Sequence, residues 1–164
     1  MKKIIYFLVS FVLLINNIAC TGYKPIFSSE DLQFAIADYS IVGDKKLGKQ
    51  IYSKLYMSSN KDSSEVKSIS VLINVSKEKN ATTKDSAGKI LEYKINLTTK
   101  LNVKDYLTNT QILNEVFTSS ISYKVQDNFS DTINLENKSV DSLLDKIYQK
   151  FLIQLTENLK NKWY

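Results

Sequence analysis

The only thiol in the chain, Cys20, is its one strong nucleophile, and the residues before it say what that sulfur does. Met1, Lys2 and Lys3 give a positive start, residues 4–15 an apolar run, and Asn16-Asn17-Ile18-Ala19 a short passage ending in a small side chain. That order of parts is an export signal. A cysteine directly after the small residue takes a diacylglyceryl group on sulfur, and cleavage before it frees an amino group that can be acylated in turn. The run of about 12 apolar residues falls short of the roughly 20 that span a bilayer. Residues 1–19 therefore read as a lipoprotein signal peptide and Cys20 as the lipidation site. Several acyl chains together anchor stably where one does not. Asn17 stands where such signals usually carry Leu. Thr21 stands where an Asp would favour retention at an inner membrane. The expected address is the periplasmic side of the outer membrane.

The remaining chemistry is narrow. There is no histidine, and the single thiol is committed to lipid. Metal sites built on His or Cys, Ser-His or Cys-His nucleophiles and histidine acid–base steps are thereby excluded. The covalent lipid is the only non-protein group expected; no metal or cofactor is. A carboxylate hydrolase would need two acidic groups roughly 5–10 Å apart in a cleft. Glu115 and Asp127 can be named, but nothing in their spacing recommends them, so no catalytic residue is expected and the chain reads as a non-enzyme. All 22 basic residues are lysine, against 17 acidic ones, and Lys2 and Lys3 depart with the signal. So small an excess is no nucleic-acid footprint.

The elements that must carry any binding surface follow from periodicity. Residues 20–31 form a tether with the only proline, Pro25, and the aromatics Tyr23 and Phe27. Residues 32–42 read as a strand through Phe34, Ile36, Tyr39 and Ile41, closed by Gly43 and a candidate N-cap, Asp44. Leu47, Ile51 and Leu55, with Tyr52 and Tyr56 beside them, recur at helical spacing, and Gly48 inside that helix costs up to about 1 kcal/mol relative to Ala. Residues 58–64 read as a loop. The period then becomes two. Ile69, Val71, Ile73 and Val75 alternate with polar residues between 67 and 77, with Leu72 out of phase. Leu91, Tyr93, Ile95, Leu97, Thr99, Leu101 and Val103 alternate with Glu92, Lys94, Asn96, Thr98, Lys100, Asn102 and Lys104, a long strand with one wet face. Leu113, Phe117, Ile121, Tyr123 and Val125 make a third strand, and the three form an antiparallel meander. Residues 84–89 and 105–110 connect them. Val140, Leu143, Leu144, Ile147, Phe151, Leu155 and Leu159 return to helical spacing, with Ser139 as expected N-cap and Asp141 in the first turn.

The order β-α-β-β-β-α predicts an α+β fold: a two-layer sandwich of a four-stranded, mostly antiparallel sheet with two helices on one face, and one domain over residues 32–164.

The pattern resembles the lipopolysaccharide-assembly lipoprotein family LptE. Cys20 with Gly22-Tyr23-Lys24-Pro25-Ile26-Phe27 is similar to the family's Cys-Gly-aromatic start. Leu47-Gly48-Lys49-Gln50-Ile51-Tyr52-Ser53-Lys54-Leu55 is similar to its first helix, and residues 87–97 to its central hairpin and long strand. The resemblance implies a partner, the outer-membrane β-barrel LptD, in which such a lipoprotein sits as a plug, aids assembly and meets lipopolysaccharide on its way to the outer leaflet. The family's basic contact positions fall near Ser86, flanked by Lys84 and Lys89, and near Glu136, before the last helix, with Lys138 close by. These lysines and Lys94 on the wet strand are the candidate lipopolysaccharide contacts. The other reading of the wet face, with Lys94, Lys100 and Lys104, is a solvated sheet surface. The alternative function is a periplasm-facing accessory lipoprotein of another envelope transport or peptidoglycan machine.

Overall fold

The computed structural model of the chain describes residues 34–59 and 66–163. The expected signal peptide, the tether and Cys20 lie outside the described residues. The elements are β1 (Phe34–Gly43), α1 (Lys45–Ser58), β2 (Lys67–Lys84), β3 (Ile90–Asp105), β4 (Gln111–Lys124) and α2 (Phe129–Trp163). They form one sheet in the order β1-β2-β3-β4, with β1 parallel to β2 and the other pairs antiparallel. The sheet is open, not a barrel, and both helices lie on one face, as the alternation of the strands requires.

β1 carries its apolar residues at 34 and 36 and then at 39 and 41, a change of phase that would split them between two faces. A bulge between Ile36 and Asp38 absorbs the extra residue, which returns Tyr39 and Ile41 to the side of Phe34 and Ile36. Opposite them stand Ile69, Val71 and Ile73 of β2. Gly43 then takes φ +76°, and Asp44 caps α1 by accepting the N–H groups of Lys46 and Leu47, both at 3.1 Å. Gly48 has a reason beyond propensity: a Cβ there would overlap the Cγ2 methyl of Ile41. The glycine lets α1 sit down on β1, and Leu47, Ile51 and Leu55 bury beside it.

The core continues through Ile95, Leu97, Leu101 and Val103 of β3 and Leu113 and Phe117 of β4 to Leu143, Leu144, Ile147, Phe151 and Leu155 of α2. Phe117 meets Phe151 edge-on, with centroids 6.1 Å apart. The two helices are tied to each other by Lys54 to Asp145 at 2.6 Å and by the Tyr148 hydroxyl, which donates to the Lys54 carbonyl at 2.9 Å. Burial holds the Tyr148 phenol above its usual range. Among the described residues no helix is long and apolar enough to cross a membrane.

Two boundaries differ from the sequence expectation. β2 runs to Lys84, well past residue 77, because backbone pairing with β3 continues where the apolar alternation has stopped. The last helix begins at Phe129, and Ser139 is buried within it. Asn128 caps that helix instead, its side chain accepting the Ser130 N–H at 3.0 Å, and Asp131 sits in the first turn. The first ten residues of α2 carry few apolar side chains, so periodicity could not announce them.

Candidate functional site: the open sheet face and the distal hairpin

With both helices on one side, the other face of the sheet has no helix over it. Its side chains run in cross-strand rows: Ser40, Leu72, Asn102 and Asn114; Val42, Asn74, Lys100 and Val116; Ser76, Thr98 and Thr118; Glu78, Asn96 and Ser120; Asn80, Lys94 and Ser122. Hydroxyls and amides dominate, with Leu72, Val42 and Val116 as isolated apolar members. Leu72, out of phase in the sequence, is thus an outer-face residue. Lys94, Lys100 and Lys104 all project here. Six residues of strand place Lys94 roughly 20 Å from Lys100. The lysines line the length of the face; they do not form a compact phosphate cradle.

β2 and β3 pair from Ile69 opposite Asp105 to Lys84 opposite Ile90, which projects a hairpin toward one end of the sheet. Its turn is closed by Asp85, whose side chain accepts the N–H groups of Ala87 and Lys89 at 2.9 Å each, while Gly88 takes φ +82°. Lys84 and Lys89 flank this turn. At the same end α2 starts, and Phe129 and Ile133, one helical turn apart, are 79% and 38% exposed. Leu91 is exposed at this end too, its carbonyl accepting the Val125 N–H at 2.9 Å.

The helix-covered face of this end carries a cluster that sequence reasoning missed. Glu136 accepts from Lys79 at 2.6 Å and from the Tyr123 hydroxyl at 2.9 Å, and Lys77 stands 3.6 Å away. The Lys79 ammonium also lies 4.2 Å from the Tyr93 ring centroid, and Tyr93 packs against Tyr123. Burial works against ionisation of Glu136, but hydrogen bonds from Lys79 and Tyr123 and the two lysine charges outweigh it and hold its carboxyl below the usual range. The Lys79 ammonium is likewise disfavoured by burial, yet its bonds to Glu136 and Tyr123 raise its pKa. Burial raises the Tyr123 phenol. The signal was present: Lys77 and Lys79 continue the odd-numbered register of Ile69 to Val75, so two ammonium groups had to face inward and find an anion.

The structure therefore brings Lys84 and Lys89 together at the hairpin turn and leaves the other two candidates apart. Lys94 projects from the open face. Lys138 is exposed on α2, two residues and some 200° around the helix from Glu136, on the other side of the sheet from Lys94. Glu136 itself lies inside α2, not before it. Glu115 and Asp127 do not converge: nine residues of β4 separate Glu115 from the strand's end at Lys124, roughly 30 Å. Among the described residues no three acidic or thiol groups are placed to hold a metal.

No family model matches the sequence, and no curated protein does. Solved structures do match in fold. An uncharacterized lipoprotein B from Nitrosomonas europaea superposes with a TM-score of 0.59 at 12% identity, over 87% of this chain and 97% of its own. A minor lipoprotein from Acinetobacter baumannii gives 0.51 at 14% identity, over 77% and 94%. At these identities the likeness is one of fold, an α+β architecture that this chain shares with proteins described as bacterial lipoproteins.

Proposed function

We propose that this chain is a non-enzymatic outer-membrane lipoprotein, acylated at Cys20, that forms a complex with a β-barrel of LptD type and assists lipopolysaccharide assembly as plug and assembly partner. The observation that carries this reading is the asymmetry of the sheet. One face is sealed by two helices, and the other presents Ser, Thr, Asn and Lys across its strands. A lumen-filling partner needs such a surface, because the interior of an outer-membrane barrel is polar. A second support is the distal end, where the Lys84–Lys89 turn and the exposed Phe129 and Ile133 lie at the same end of the sheet, cations and apolar groups that suit a phosphorylated, acylated ligand. Lys94 and Lys138 complete the proposed contacts from the two sides of the sheet.

The test is affinity purification of the tagged, lipidated protein from detergent-solubilised outer membranes through a salt wash. An LptD-type barrel in near-equal amount is the expected result, with photo-crosslinks from positions 98, 118 and 120 reaching its inner wall. Recovery of the lipoprotein alone or with an inner-membrane transporter would reject the barrel reading in favour of an accessory role in another envelope machine.

A further inference from the structure

The end of the sheet opposite the hairpin carries its own exposed apolar feature, which the barrel reading does not use. β3 and β4 are joined by a rigid turn. The Asp105 side chain accepts the N–H groups of Leu107 and Thr108 at 3.0 and 2.8 Å, its own N–H reaches the Thr110 carbonyl at 2.9 Å, and Asn109 takes φ 56°. The result is a fixed projection with Leu107, 83% exposed, at its apex and Tyr106, 50% exposed, beside it. An apex leucine held out by so ordered a turn contributes nothing to the core.

Its position in the fold identifies what covers it. Phe34, where the described chain begins, pairs with Lys67, and Ala35 with Ser68; the Ser68 carbonyl accepts the Tyr106 N–H at 2.9 Å. The turn and the start of β1 thus flank the same residues of β2, two strand spacings or about 10 Å apart. Only 14 peptide units separate Cys20 from Phe34, a reach of at most about 50 Å. The hairpin turn lies at the far end of β2, roughly 60 Å away. Lipid on Cys20 is therefore within tether reach of the β3–β4 end and not of the hairpin turn. The charges at this end suit an anionic leaflet: Lys67 and Lys104 flank the turn, and α2, antiparallel to β4, brings Lys160 to the same end. Of the acidic groups described there, Asp105 is held by its bonds to Thr108 and Leu107 below the usual carboxylate range and is turned into the loop, and Glu157 lies one helical turn from Lys160 on α2. A tyrosine beside a leucine, with lysines behind them, is the arrangement that settles at a headgroup boundary.

We infer that the β3–β4 turn is a membrane contact, with Leu107 inserted and Tyr106 at the headgroups of the leaflet that holds the Cys20 lipid. The inference rests on the lipid-anchor part of the proposed function and not on the barrel. The full lipidated protein carrying Leu107→Cys is labelled with an environment-sensitive fluorophore and reconstituted in vesicles of phosphatidylethanolamine and phosphatidylglycerol. Acylation blocks Cys20, so the label is specific. Phe129→Cys at the opposite end is the matched control. The expected result is a blue-shifted emission at position 107 that lipids brominated near the headgroup quench, and an unshifted, unquenched emission at 129. Water-like emission at 107 on protein that floats with the vesicles would overturn the insertion and leave the anchor standing. A Cys20 peptide without acyl mass would overturn the anchor and this contact with it.

Discussion

The two ends of the sheet are held by different forces. At the β1 end, α1 and α2 press Leu47, Ile51, Leu55, Leu144 and Phe151 onto Ile69 to Val75 and Leu101 to Val103, and the strands there are sealed by apolar area. At the hairpin end the same inward register of β2 carries Lys77 and Lys79 in place of Ile or Val, and α2 answers with one carboxylate. Burial by area is insensitive to pH and salt; a carboxylate shared by two ammonium groups and a phenol is sensitive to both. The molecule therefore joins a fixed half to an adjustable half that carries the hairpin lysines.

The sharpest way to break that division is to attack the element common to both halves. Phe151→Ala empties a fully buried site against Phe117 and should lower global stability by about 3–5 kcal/mol, read as a single cooperative transition in denaturant. Two separated transitions would mean that the halves fold independently.

Glu136→Gln tests the adjustable half alone. The carboxylate is only 14% exposed, and its loss leaves Lys79, 31% exposed, without a counter-charge, a cost that solvent screening holds to about 1 kcal/mol. The expected effect is local: amide exchange quickens at 77–84 and 90–96, while 69–75 and 97–103 keep their protection. Equal loss in all four segments would erase the distinction between the ends. The pH dependence has a definite sign. Glu136 titrates below its ordinary value near 4.5, so its contribution is complete above that value and is lost as pH falls through the depressed one. Lys79 and Tyr123 titrate above their ordinary values of 10.5 and 10.0, so theirs is complete below pH 10 and drains as pH rises past it. Glu136→Gln should flatten the acid limb of the stability profile.

A smaller effect tests the fixed half. Gly48→Ala gains helix propensity of about 1 kcal/mol but drives a methyl into Ile41, an overpacking that costs typically 1–3 kcal/mol. A net loss of about 1 kcal/mol is expected in chemical denaturation. In an Ile41→Ala background the obstacle is gone, and the same substitution should become stabilising.

These contrasts also mark how far the sequence could be read. Element order and inward faces were legible because alternation at Ile69 to Val75 and at Tyr93 to Val103 is a direct consequence of the pleat. The hairpin extension and the first ten residues of α2 were not, because backbone pairing and the Asn128 cap hold them with little apolar patterning. The same limit applied to the candidate lysines. Sequence could place Lys84 and Lys89 on either side of a turn, but whether Lys94 and Lys138 share a face with them depends on which side of the sheet α2 covers. The Lys79–Glu136 pair joins residues far apart in the chain, and only the fold introduces them.

Thr99 offers the finest probe of the fixed half. It sits on the inward face of β3 between Val75 and Phe117, is 0% exposed, and its hydroxyl has no hydrogen-bond partner among the described residues. A hydroxyl removed from water without a partner costs roughly 1–3 kcal/mol by mutational measures, and valine matches threonine in shape while removing that cost. β-branching is kept, so strand preference is unchanged. Thr99→Val should therefore raise the denaturation midpoint by the equivalent of about 1 kcal/mol without altering the slope of the transition. A loss of stability would show that the hydroxyl is bonded in solution, through water inside the sheet, and that the half near β1 is not dry. In that event the two ends would differ in degree of hydration and no longer in kind.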